Sequence, residues 1–497
     1  VTGDASVTGT LTGNASAISF GSLTINSGGT YSATSGTTTI KSEASSGFAL
    51  FNEGTFTHNN GTVSIGDGTT AAETHIKITT LYNLIINSNA DSKLVIFRPE
   101  SSSTVTIAND LTLTRGVFYR NNVSDTLTVT GDVSVASGST LGRTNDNGAS
   151  NFGSLTIASG GTYVATSGTT TLNGTGTILD INGTFTHNDG KVTITSSGAH
   201  STILPNGATF NNIDLATSSG HDLLLRENIT IIGTLDLTGS SDYWIVDAAG
   251  AAADVTMTMG SSTASGTIES NDADRFRLNT HSSGKCIIQG ASSLFPCNVT
   301  GNDWKWDYAA GAAGTELANM NFQVAVITDT GESNTAKITL TGDCEFDAVT
   351  VSSGDTLDLN GQRAEFGGAL SNSGTMDIDG MLICHNDCDL DVSATANDNK
   401  DKATIIMKNT SNKYVDLPDG TYGGLHILGQ NRVLVYRAHN LGTTPVTFGA
   451  NESNDFGNNL TCGNLTVPTN GTLDAATDTF TVAGDFTTSG GLIGKSA

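Results

Sequence analysis

FGSLTINSGGTYSATSGTTTI, Phe20 to Ile40, returns almost letter for letter as FGSLTIASGGTYVATSGTTTL, Phe152 to Leu172. Around this phrase other text repeats at nearly the same distance. GTFTHNNGTVSI (Gly54 to Ile65) returns as GTFTHNDGKVTI (Gly183 to Ile194), and VTGDASV at Val1 returns as VTGDVSV at Val129. The small drift among these shifts is what insertions at turns leave behind. Within the repeat, runs such as SLTI, TTTI, TVSI and LTLT alternate apolar and polar residues, and a period of two marks a strand. SGG, NNG, NDG and TGD lie between the runs and supply turns. Short strands of this kind cannot bury an apolar face alone, so the reading is all-β: a solenoid of stacked short coils, elongated along one axis. At roughly 20 residues per coil, each long repeat holds about six coils.

Composition agrees. Of 497 residues 59 are Gly, only 6 are Pro and 14 % are charged, which is unlike a disordered chain rich in Pro and charge. The formal net charge is −26, with carboxylates spread along the chain. Such a surface repels phosphate backbones, so nucleic acid is not an expected partner. No apolar run approaches the length of a membrane span, hence no membrane insertion by a helix is expected. The text opens at Val1 in what Val129 marks as the middle of a repeat, as a processed chain or part of a longer one would.

Three stretches follow. Residues 1–240 form the repetitive solenoid, with long repeats starting near 1 and 129. Residues 241–323, richer in Ala, Arg and Trp, are read as a divergent insertion or junction, with a short helical turn expected over Ala309 to Met320. Residues 324–497 return to the earlier grammar; DTFTVAGDF (Asp478 to Phe486) matches DTLTVTGDV (Asp125 to Val133).

Candidate chemistry is sparse. Trp304, Trp306 and Tyr308 alternate, so on an extended segment they share a face and are candidates for glycan contact, a plug or a subunit contact reading equally well. Asp387, Asp389 and Asp391 are candidate calcium ligands, as are Asp377 with Asp379, although the calcium-binding nonapeptide GGxGxDxUx is absent. Otherwise no cofactor is expected. Cys384, His385 and Cys388 lack the second cysteine pair a zinc site needs. Cys286 with Cys297, and Cys384 with Cys388, are near enough for local disulfides; buried free thiols are the competing reading. His58 and His187 occupy the same place in two repeats, which points to a structural corner, and Asn59, Asn60 and Asn188 beside them suit left-handed turn backbone. No set of residues recommends itself as catalytic, so the chain is not expected to be an enzyme.

LTINSGGTY, TLYNLIIN, TLTVTGDVSV and GNLTVPTNGTL together resemble the β-strand-repeat proteins of secreted bacterial adhesins and the fibrous structural proteins of marine bacteriophages. The resemblance covers most of the chain outside about 243–323. It implies a right-handed parallel β-solenoid (β-helix) displayed outside a cell or on a virion surface, and transfers no catalytic residue. The expected role is a structural fibre: the shaft of a virion appendage or extracellular filament that associates with itself. The alternatives are an adhesin or receptor-binding fibre contacting host surface glycans and, more weakly, a polysaccharide-degrading spike.

Overall fold

The computed structural model describes residues 3–41, 47–66, 73–98, 103–196, 200–217, 221–239, 243–251, 253–270, 275–279, 284–294, 296–300, 304–306, 308–309, 315–327, 337–390, 400–408, 413–417, 419–428, 433–435, 439–448, 453–455, 460–467, 469, 472–474, 479–489 and 492–494. It is a parallel β-solenoid in two compact units, Val1–Trp244 and Ile245–Ala497. Helix among the described residues is confined to Ala248–Ala251 and the 3₁₀ turn Lys400–Lys402. No helix of the described residues is long and apolar enough to cross a membrane.

In the first unit strands pair in parallel with their counterparts one coil further on, as Leu111 with Val133 and Val133 with Leu155. Alternation turns every second side chain inward, so one coil's inward residue falls on the next coil's. Leu84, Leu111, Val133, Leu155 and Leu179 make one such column, and Ile86, Leu113, Val135, Ile157 and Ile181 another. All ten are at most 2 % exposed. Burial of these columns is the main favourable term, at about 25 cal/mol per Å² of apolar surface.

The sequence repeat is also a repeat of contacts. Phe20 meets Tyr31 with ring centroids 6.0 Å apart, and Phe152 meets Tyr163 at 5.9 Å. Each enclosed tyrosine hydroxyl has its threonine, Tyr31 with Thr38 at 3.1 Å and Tyr163 with Thr170 at 3.0 Å. The HNN and HND corners match as well. His58 Nδ1 accepts from the Asn60 N–H and His187 Nδ1 from the Asp189 N–H, both at 3.0 Å. Asn59 and Asn60 have φ of 47° and 56°, as do Asn188 and Asp189, the left-handed conformation that Asn tolerates best among residues other than Gly. The TGD turn at Asp132 hooks coil to coil: Asp110 Oδ1 accepts from the Asp132 N–H at 2.9 Å, and Asp132 Oδ1 from Ser154 Oγ at 2.6 Å.

One corner of the first unit encloses charge. Arg120, 5 % exposed, occupies an inward position; its Nη1 donates to the carbonyls of Asp125 (2.8 Å) and Ala149 (2.7 Å), and Nη2 faces Asp146 Oδ2 at 3.6 Å. Arg143 Nε reaches the other Asp146 oxygen at 2.9 Å. Burial raises the Asp146 carboxyl above its ordinary pKa, against the pull of both arginines.

The second unit follows the same rule with uneven coils. Over the stretch set apart in the sequence the pairing is parallel but the returns are long, Val255 pairing with Cys286 and Thr267 with Asn298. Beyond it the returns shorten, Met320 pairing with Cys344 and Cys344 with Ala364. Of the stretch Ala309 to Met320, where a short helical turn is expected, residues 310–314 lie outside the described residues and the described remainder is not helical. Thr315–Ala318 is a strand, paired on one side with Cys286–Gln289 and on the other with Ile338–Leu340. Ladder bonds on both edges outweigh the weak helical preference of an Ala-containing segment. Phe322, Phe346 and Phe366 stack face to face down the interior, with centroids 5.3 Å apart at each step.

Candidate functional site

Among the described residues the second unit carries two polar constellations. The first grows from two TxD strands. Thr356–Asp358 pairs in register with Thr375–Asp377, which sets Asp358 directly against Asp377. Asp379 follows at the turn, and one oxygen of each carboxylate lies within 4.8 Å of the others. Asp358 accepts from the Asn360 N–H (2.9 Å) and faces Lys337 Nζ at 3.5 Å, while Asp379 accepts from the Gly361 N–H (2.8 Å). Asp377 Oδ1 is enclosed and has no hydrogen-bond partner. Burial first, then the charges of Asp358 and Asp379, push the Asp377 carboxyl up to about 6. An all-oxygen set of this kind suits a hard cation such as calcium and not zinc.

The second constellation is an open depression of about 510 Å³ lined by Asn321, Glu345, Asp347, Glu365, Gly367 and His385 over the edges of Phe322 and Phe346. Register builds it: Asn321 pairs with Glu345 and Glu345 with Glu365, one polar residue per coil beside the phenylalanine stack. Arg363 joins the two glutamates, 3.4 Å from Glu345 Oε1 and in contact with Glu365 Oε2. His385 Nε2 lies 2.5 Å from Glu365 Oε1. Burial, and then the Lys408 charge, lower the His385 pKa. The depression is within the size range of small-ligand sites and rich in hydrogen-bond acceptors, which matches a ligand rich in donors such as a polyhydroxylated one.

The residues singled out from sequence fall as follows. Trp304–Trp306 is a strand paired with Ala325–Ile327, and Tyr308 pairs with Leu278; their side chains lie outside the described residues. Asp387 is half-buried, and the Asp389 side chain and Asp391 lie outside the described residues. Asp377 and Asp379 are brought together, joined by Asp358 from the preceding coil. Cys286, Cys297, Cys384 and Cys388, with Cys344 and Cys462, are all buried free thiols. Cys384 and Cys388 turn inward while His385 between them turns to Glu365, so the three do not converge as metal ligands.

Glu345, Arg363 and Glu365 escaped the sequence reading, and His385 was read there only beside Cys384 and Cys388. The signal that points to them is the Glu-Phe pair, in CEFDAV and again one coil later in AEFGGAL. No family model, curated protein or solved structure matches this chain.

Proposed function

We propose that the chain is a structural fibre protein, a β-solenoid shaft of a virion appendage or extracellular filament that associates with itself. The supporting observation is the residue-for-residue register of successive coils within each unit, with interior columns of Val, Ile, Leu and Phe running from coil to coil. Such a stack is stiff because deforming it breaks ladder bonds and separates packed columns together. Self-association must overcome the repulsion of a net charge of −26 per chain, so it strengthens as salt shortens the Debye length to about 8 Å at physiological ionic strength. Light scattering over a range of concentration and salt is the test. Masses rising well above 50.9 kDa support the fibre; a monomer under every condition overturns it.

A second reading is favoured by the acceptor-rich depression at Glu345, Glu365 and His385: an adhesin or receptor-binding fibre that contacts host surface glycans. Binding to an array of neutral and amino sugars that disappears in Glu345→Gln and Glu365→Gln supports it. Equal binding by both variants and the parent chain removes the depression from consideration.

A further inference from the structure

Three of the second unit's cysteine thiols address the backbone. Cys286 Sγ lies 3.2 Å from the Val246 carbonyl oxygen, Cys297 Sγ 3.7 Å from that of Asn298, and Cys344 Sγ 3.6 Å from that of Gly342. Cys384 and Cys388 differ, because their thiols are hydrogen-bonded to each other. The local fold accounts for this. Cys384 ends the strand Met381–Cys384 and Cys388 begins Cys388–Asp389, so the chain turns a corner over His385, Asn386 and Asp387. The corner's His385 faces outward onto Glu365. Both sulfurs are left inside, each 0 % exposed, Cys384 between Phe366 and Met407 and Cys388 beside Leu370 in register.

We propose that Cys384 and Cys388 are a redox pair that closes into a disulfide across this corner when a small peroxide reaches it. The inference is independent of the fibre reading. One of the two sulfurs, as its thiolate, bonds to one peroxide oxygen, the O–O bond breaks, and the departing hydroxide takes a proton and leaves as water. The other sulfur then gives up its proton and attacks the sulfenic acid so formed. An S–S bond forms, the S–O bond breaks and a second water leaves. Two thiols thus lose two electrons and two protons, and one peroxide becomes two waters. The Cys388 contact and burial push the Cys384 thiol well above its ordinary pKa. Full enclosure makes the reaction slow and limits it to small oxidants. The staple joins the end of one strand to the start of the next, where the coil changes direction.

The test treats the reduced full-length chain with hydrogen peroxide, alkylates remaining thiols after denaturation and maps the peptides by mass. The peptide with Cys384 and Cys388 is expected to escape alkylation and weigh about 2 Da less, two hydrogens, while Cys286, Cys297, Cys344 and Cys462 are alkylated. In C384S the mass loss disappears and dimedone labels Cys388. In C286S, a control that leaves the pair intact, the loss persists. Alkylation of Cys384 and Cys388 to the same extent as the other four, or a bridge from either to a different cysteine or chain, overturns the proposal. Should C384S fail to fold, the map of the unaltered chain decides.

Discussion

Gly61→Ala and Gly190→Ala test coil stacking at the same corner in two repeats. Each glycine closes its corner after two left-handed residues, its N–H donating at 2.9 Å to the carbonyl of His58 or His187. The corner lies against the preceding coil. A β-carbon on Gly61 would lie 1.9 Å from the Thr34 carbonyl oxygen, and one on Gly190 would lie 2.0 Å from that of Thr166. Both obstacles are backbone, so the coils must part by about 1 Å or more, which a close-packed interior resists. Parting strains the Thr62 N–H bond to Gly36 O (2.9 Å) and the Lys191 N–H bond to Gly168 O (3.0 Å). Each bond is worth about 1 kcal/mol, and overpacking adds about 1–3 kcal/mol. The expected loss is about 3 kcal/mol per variant, a fall in melting temperature of roughly 6–12 °C for a unit of this size. Gly9→Ala is the control, since nothing lies within 4 Å of its added carbon, and it should stay within about 0.5 kcal/mol of the parent. Thermal unfolding followed by circular dichroism measures all three. If both corner variants melt with the parent chain, or only one of them falls, the stacking geometry is wrong.

Arg120→Met should cost about 3–5 kcal/mol in denaturant unfolding, because the enclosed carbonyls of Asp125 and Ala149 lose their donor and Asp146 keeps only Arg143. Phe346→Ala, which removes the middle ring of the stack at Phe322 and Phe366, should cost about 3–5 kcal/mol, read as loss of hydrogen-exchange protection in the second unit. Asp377 has a folded pKa of about 6 against a reference of 3.8, so the folded state holds its proton more tightly than the unfolded chain does. That contribution is fully present below pH 3.8 and is lost as pH rises to about 6. Relative to the parent, Asp377→Asn should therefore gain about 1 kcal/mol above pH 6, the figure being discounted for solvent screening of a partly exposed group. Below pH 3.8 it should gain nothing, as unfolding midpoints at the two ends of the window would show.

The first unit was legible because its repeat is long and nearly literal. Once Phe20 and Tyr31 recur as Phe152 and Tyr163, the same contacts recur, and the HN corners announce their left-handed backbone through Asn. The second unit was legible as strands but not as sites. Glu345, Arg363, Glu365 and His385 meet only because two successive short coils, Cys344 to Ala364 and Arg363 to Met381, set them one above another. The preceding coils are much longer, as the step from Val255 to Cys286 shows, so no fixed period reveals that alignment. Thr315–Ala318, within the stretch expected to hold a helical turn, is a strand for a related reason: local preference cannot see the strand partners on both sides. Arg120 was hidden in the same way, since an arginine in an alternating run reads as outward until its carbonyl and carboxylate partners are placed.

X-ray diffraction from oriented, concentrated protein tests most directly whether coils stack along the axis of the proposed self-associated shaft. A sharp reflection at about 4.8 Å on the filament axis is the predicted result. Protein that stays monomeric at every concentration, or a reflection at that spacing lying across the axis, would contradict it.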